Sequence, residues 1–192
     1  VFFQSFESFS RYGLKFLVTS EWNPVKDEYG AFTAIYGTLV TSFLSLLITI
    51  PLGVGTAIFI TEDFVPKVVR EIIGSFVELL AAIPSVVLGL WAIFVMEPFF
   101  RAFFVFLHNF FGWIPLFSTE PTGRNSLLAI LILVVMLLPI VTSIARDSLN
   151  QVPKKLRNAA YGIGASRWKT IFSVILPAAL SGIMAGVLLA LG

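Results

Sequence analysis

Four long apolar runs constrain the fold of this 192-residue chain more than any other feature of its sequence. A helix needs about 20 mostly apolar residues to cross the hydrocarbon core of a bilayer, which is about 30 Å thick. Runs of about this length extend from Phe32 to Ile60, from Ile72 to Met96, from Leu127 to Ala145 and from Ile171 to Gly192. A proline lies inside or at the edge of each run, which membrane helices tolerate and buried strands do not. We therefore predict an all-α polytopic membrane protein with about four membrane-spanning helices.

The composition excludes several functional classes. The chain is 57% hydrophobic and only 12% charged, far from the balance of a soluble globular domain. It has no cysteine and one histidine, His108, which excludes disulfides, thiolate metal sites and sites that need two histidines. The sequence contains neither a phosphate loop ending in Gly-Lys-Ser or Gly-Lys-Thr nor a Gly-x-Ser-x-Gly elbow. We predict no catalytic residue, no metal, no cofactor and no nucleic-acid partner.

The segment from Arg146 to Thr170 sets the expected orientation. It contains six Lys or Arg residues and one acid, Asp147, and the positive-inside rule places such a segment in the cytoplasm. Counting back through the runs places residues 61–71 inside as well and residues 97–125 outside. The aromatic stretch from Phe99 to Trp113 then favours an amphipathic helix at the outer interface or a short re-entrant pair.

The most specific motif lies in this basic segment. It reads Arg-Asn-Ala-Ala-Tyr-Gly-Ile-Gly over residues 157–164, and Val-Ile-Leu-Pro follows at 174–177 after nine intervening residues. Pro153 suits the first turn of a short helix, glycines suit its end, and Ser166 suits the cap of the next helix. The pattern resembles the EAA loop of ABC importer permeases, with Asn158 where the family usually has Glu and Val174 where it has Ile.

This resemblance implies that residues 153–170 form a cytoplasmic coupling loop, whose small side chains fit a groove on a separate ATP-hydrolysing subunit. It also implies that the chain itself is a transport subunit and not an enzyme. The residues carried over as ATPase-coupling positions are Arg157, Asn158, Ala159, Ala160, Gly164, Leu176 and Pro177.

Longer stretches resemble, within this class, the phosphate permeases of the PstC type. They are Glu21–Pro24, Gly37–Ser42 and Glu78–Val87, and the resemblance extends from Tyr12 onward. It implies a single permease domain over residues 1–192, truncated at both ends, with about four of six expected helices. It further implies residence in the bacterial inner membrane among lipid, a dimer of ATPase subunits, a sister permease and an external phosphate-binding protein. Permeases for sulfate or molybdate, and an ion-coupled secondary transporter, remain as alternatives.

Polar residues on the first complete run suggest a route for the substrate. Small and hydroxyl residues recur there at steps of three or four, within roughly 60° of helical arc. Such a stripe suits either an anion path or close helix contact, and both readings stay open. Glu78 is the one acid well inside a run, which makes it a functional candidate unless it pairs with Lys67 or Arg70. The predicted path residues are Thr38, Ser42, Ser45, Thr49, Glu78 and Ser85.

A row of small residues in the last run and the single histidine both have plain structural explanations. Ala178, Gly182, Gly186 and Ala190 form a row at intervals of four residues, which we predict to be a helix contact. His108 lies in the aromatic outer segment without an evident partner, and we predict a plain interfacial histidine.

Overall fold

The structure is a computed structural model, which describes residue 10 and residues 12–62, 64–115, 117–118, 120 and 125–191. Its contacts divide the chain into two compact units, Val1–Phe43 and Leu44–Gly192. Among the described elements are helix α1 (Lys15–Val18), strands β1 (Trp22–Asn23) and β2 (Glu28–Tyr29), and helices α2 (Phe32–Thr61), α3 (Lys67–Ala81), α4 (Ser85–Phe111), α5 (Ser126–Asn150), α6 (Lys154–Gly162) and α7 (Arg167–Ala190).

Four helices are long and apolar enough to cross a membrane. They are α2, α4, α5 and α7, with 30, 27, 25 and 24 residues. At about 1.5 Å per residue each is at least as long as the hydrocarbon core of a bilayer is thick. The predicted all-α membrane fold and the number of spanning helices are confirmed.

The bounds predicted for the second span, Ile72 to Met96, are wrong. Helix α3 ends at Ala81, and a new helix begins at Ser85 after Pro84. Proline lacks the N–H that would continue α3 and disfavours helical geometry at the residue before it. The carbonyl of Pro84 instead accepts hydrogen bonds from the N–H groups of Val87 and Leu88 at 3.0 and 3.3 Å, which begins α4.

The stretch predicted as a separate surface helix, Phe99 to Trp113, is mostly the second half of α4. A π-helical turn at Ala92–Met96 precedes Pro98, and the Glu97 N–H donates to the Ala92 carbonyl across this turn. A π turn widens the helix by one residue, so the helix continues past a proline near its middle. The spanning helix is therefore displaced toward the C-terminus relative to the apolar run.

The first unit contains a small hairpin. Trp22 pairs with Tyr29 in antiparallel register, and their rings lie 5.0 Å apart, edge to face. In the turn, the Asn23 carboxamide oxygen accepts from the N–H of Val25 at 3.1 Å, and Asp27 adopts a φ of 57°. The stretch that favoured permeases of the PstC type, Trp22 to Pro24, thus begins this hairpin.

In the second unit α5 is the central helix. Its first half packs against α4 in an apolar cluster that includes Leu88, Phe104 and Leu128. Its second half packs in another cluster with Ala57 of α2 and Ile175 of α7. This second cluster lies beside the basic segment and supports it.

The row of small residues on α7 was predicted to be a helix contact, and the structure shows such a contact at Gly182 and Gly186. A Cβ atom added at Gly182 would lie 2.9 Å from Cβ of Ser148, and one at Gly186 would lie 2.9 Å from Cβ of Ile144. Separations of this size are too short for real Cβ atoms, so only glycine permits this approach of α7 to α5.

Candidate functional site

Helix α6 forms where the sequence places it. Pro153 precedes its first residue, and Gly164 terminates it with a φ of +82°, which glycine adopts without strain. The N–H of Gly164 donates to the Tyr161 carbonyl at 2.9 Å, and that of Ala165 to the Ala160 carbonyl at 3.0 Å. These two bonds form a Schellman motif. Ser166 then caps α7 through the N–H of Lys169 at 3.3 Å, so the predicted start, stop and cap are confirmed.

One face of α6 is exposed. Asn158, Ala159 and Gly164 all lie on the surface, and nothing lies within 4 Å of a Cβ atom added at Gly164. Ile163 is 87% exposed beside them. Small residues next to an exposed apolar side chain form a surface that another protein can approach closely.

The opposite face of α6 packs on the protein itself. Ala160 is buried. The Arg157 guanidinium forms an ion pair with the carboxylate of Glu62, and these side chains are only 19% and 12% exposed. Its second terminal nitrogen donates to the Leu149 carbonyl at 2.9 Å. Of the predicted coupling residues on α6, these two therefore face inward.

The other two predicted coupling residues belong to α7. Leu176 is half-buried and packs against the apolar cluster beside the basic segment. Pro177 is exposed on α7, after a π turn at Ile171–Ile175. Neither residue lies on α6. Both lie on α7, the helix that follows the coupling segment in the chain.

The hydroxyl stripe of α2 divides into two parts. In the first unit Thr38 is exposed and donates to the Ala34 carbonyl at 2.8 Å, and Ser42 is half-buried. In the second unit Ser45 and Thr49 are fully buried. Gly53, one turn further, approaches Val141 and Thr142 of α5. The stripe therefore contacts α5 at Gly53, and its hydroxyls at Ser45 and Thr49 are buried in this conformation.

The surroundings of Glu78 differ from the prediction. It lies on α3, which is not one of the four spanning helices, and its carboxylate pairs with Arg146 of α5 at 3.4 Å. The expected partner Lys67 instead pairs with Glu71 at 3.5 Å. Ser85 is exposed at the start of α4.

His108 has a partner that the sequence did not reveal. Its Nδ1 lies 2.7 Å from the carbonyl oxygen of Phe117, in the segment that follows α4. Within the described ranges, no group of three or more acidic or histidine side chains is placed to hold a metal ion.

Sequence reasoning also missed Glu62 as a functional candidate. The signal for it was weak: two adjacent acids, Glu62 and Asp63, follow the first apolar run, in a loop predicted to lie on the same side of the membrane as the basic segment. Its pairing with Arg157, 95 residues away, depends on the tertiary fold.

Comparison with known proteins agrees with this geometry. Residues 49–192 match the family described as binding-protein-dependent transport system inner membrane component. The chain belongs to this family, whose members are transport permease subunits and not enzymes, and it is an inner-membrane protein.

Individual relatives carry a narrower name. The chain is 42% identical to the phosphate transport system permease protein PstC of Mesorhizobium japonicum, over 100% of its own length and 60% of the relative. It is 40% identical to the protein of the same name from Pasteurella multocida, over 99% of the chain and 61% of the relative. The chain thus spans about 60% of the length of these relatives. The predicted resemblance to permeases of the PstC type is confirmed.

A solved structure shares the fold. It is an inward-facing MetNI methionine ABC transporter, with a TM-score of 0.61 and 22% identity, covering 84% of this chain and 66% of that one. At this identity the likeness supports the type I ABC importer permease fold alone.

Proposed function

We propose that this chain is part of the membrane-spanning subunit of an ATP-driven importer that moves inorganic phosphate across the bacterial inner membrane. The observation that carries the proposal is the extent of the similarity to proteins named as phosphate permeases, which reaches 100% of the chain. The relatives are longer than this chain, so the activity is proposed for the complete subunit.

We propose that the exposed face of α6 docks on one copy of a dimer of ATPase subunits. Asn158, Ala159 and Gly164 form the surface of close approach, and Ala160 holds the helix against the core. Arg157, Leu176 and Pro177 would act behind this surface, in the connection from α6 to the spanning helices. A sister permease related to PstA and an external phosphate-binding protein complete the proposed assembly, which lies among membrane lipid.

The path residues remain a proposal. Because Ser45 and Thr49 are buried, their hydroxyls would meet an anion only if α2 moves relative to the helices packed around it during alternating access. Thr38, Ser42 and Ser85 need a smaller rearrangement, since they are partly or fully exposed. Glu78 is kept as a candidate near the path.

Complementation tests the substrate. A bacterium that lacks its own phosphate importer should regain uptake of labelled phosphate at low concentration when it receives the complete subunit with its partner subunits. A tenfold excess of sulfate or molybdate should not compete, because a site built to hydrogen-bond its ligand rejects an analogue that leaves those polar groups unpaired by about 10⁴-fold. Uptake of sulfate without phosphate would overturn the phosphate assignment and favour the permease for another anion. Uptake that persists without ATP and follows an ion gradient would favour a secondary transporter.

A further inference from the structure

Arg157 and Glu62 form the connection between α6 and the end of α2. Glu62 directly follows α2, and its N–H still donates to the Ile58 carbonyl at 2.9 Å, so its position is fixed by that helix. The ion pair joins residues 95 apart in sequence. In the chain, α6 is connected directly to α5 and α7 only. The ion pair therefore attaches α6 to a third helix, α2.

The guanidinium contacts two elements at once. One terminal nitrogen faces the Glu62 carboxylate, and the other donates to the Leu149 carbonyl at 2.9 Å in the last turn of α5. A cation is favoured at the carbonyl end of a helix. The planar fork of arginine suits two acceptors in different directions, which the single ammonium of lysine matches less well.

Because the ion pair is buried, the loss of one partner should destabilise the protein. The two side chains are 19% and 12% exposed, so removal of either partner leaves a charge that water reaches poorly. A replacement of both by apolar residues of similar volume avoids that cost and is often neutral for stability. The contribution of the pair to folding can therefore be separated from its contribution to transport.

We propose that Arg157 is a positioning residue that transmits movement of α6 to α2, and that it does not contact the ATPase directly. The inference rests on the proposed function and assigns Arg157 a role within the permease. When the ATPase displaces α6, the ion pair carries the end of α2 with it. The exposed neighbour Lys155, on the same helix, has no such role.

The experiment uses the complete importer in proteoliposomes, with ATP hydrolysis and phosphate uptake measured together. The key variant is Arg157→Met combined with Glu62→Met, because the apolar pair is expected to fold. We expect the ATPase to copurify at the normal ratio, and phosphate moved per ATP hydrolysed to fall about tenfold, within the range by which coupling residues alter coupling. Arg157→Lys, which keeps the charge but not the planar fork, should keep a larger part of the ratio than the double Met variant. Lys155→Ala should leave the ratio unchanged.

A second measurement does not depend on the substrate. Spin labels at Ile163 beside α6 and Phe59 on α2, both on exposed positions, report whether the two elements move together. In the parent complex the distance between the labels should stay the same when ATP is added. In the double Met variant it should change.

The outcomes separate the two proposals. If the parent complex hydrolyses ATP without moving phosphate, and the label distance changes with ATP in the double Met variant but not in the parent, the substrate assignment fails and the role of Arg157 stands. Reduced copurification of the ATPase in the double Met variant would overturn that role, because Arg157 would then face the ATPase. An unchanged ratio of phosphate to ATP in the double Met variant, a ratio in Arg157→Lys no higher than in that variant, or loss of the double Met variant from the membrane would also overturn it.

Discussion

The carboxylate of Glu78 on α3 and the guanidinium of Arg146 on α5 form an ion pair at 3.4 Å. Both side chains are substantially exposed, at 71% and 40%. Exposed pairs of this kind contribute about 0–1 kcal/mol to stability. The pair therefore joins α3 to α5 without being needed to hold the fold.

Glu78→Gln should consequently leave the subunit abundant in the membrane, with a change in the free energy of unfolding of less than about 1 kcal/mol. Phosphate uptake by the complete transporter then tests its proposed place near the path. Glu71→Gln is the matched control, because Glu71 forms an exposed ion pair with Lys67 on the same helix. Equal uptake in both variants would remove Glu78 from the path.

The orientation can be tested with single cysteines, since these 192 residues contain none. A cysteine at Ser166 in the complete subunit should resist an impermeant thiol reagent in intact cells, because the basic segment is predicted to be cytoplasmic. A cysteine at Ser118, beyond the end of α4, should react. The opposite labelling pattern would reverse the arrangement, and permeabilised cells provide the control for access to both sites.

Gly164→Glu should abolish transport while the subunit stays inserted and abundant. Bulk and charge at this exposed position would block docking of α6, and the φ of +82° adds strain for any residue with a Cβ atom. Gly164→Asn is the matched control, since asparagine accepts this backbone geometry more readily and adds no charge. Normal uptake in the Glu variant would contradict the docking role of this surface.

Asn158→Glu should be tolerated or should raise the transport rate. The residue is exposed, so the added carboxylate is not buried, and it restores the residue that the EAA pattern usually has here. The measurement is phosphate uptake per subunit in the membrane. A severe loss of uptake with normal abundance would show that the partner surface differs from the usual one.

The glycine contact between α7 and α5 gives a prediction about stability. Gly186→Ala should destabilise the subunit by about 1–3 kcal/mol, as overpacking in a tight contact does, because the new Cβ would meet Ile144. Gly55→Ala on α2 is the matched control, since nothing lies within 4 Å of a Cβ atom there. Thermal unfolding in detergent compares the two, and equal midpoints would contradict the close contact.

Substitutions of the hydroxyl residues on α2 can show whether they line a substrate path or form a helix contact. Thr49→Ala should lower the uptake rate modestly, by the equivalent of about 1 kcal/mol for the one hydrogen bond that this hydroxyl would donate to the anion, and Ser42→Ala should do the same. Ser45→Leu should lower phosphate uptake more than either Ala variant. Because Ser45 is fully buried, we expect this variant to be depleted from the membrane, whereas a blocked path would leave the complex assembled. Normal abundance with no uptake would favour the path.

The sequence by itself determined the class of fold, the number of spanning helices and the position of α6. These features depend on signals that are local in the chain: apolar runs of membrane length, a proline before a helix, and a glycine at position 164 where φ is positive. Local steric and solvation preferences are sufficient to specify them.

The structure corrected where the second span begins, and the tertiary fold alone decided which charges pair. Pro84 divides the apolar run from Ile72 to Met96, because it lacks the N–H that would continue α3, and α4 extends through its π turn to Phe111. Glu62 with Arg157 and Glu78 with Arg146 are pairs 95 and 68 residues apart. Charges so distant in sequence come into contact only because the apolar helices between them pack together. No local sequence pattern predicts such a contact.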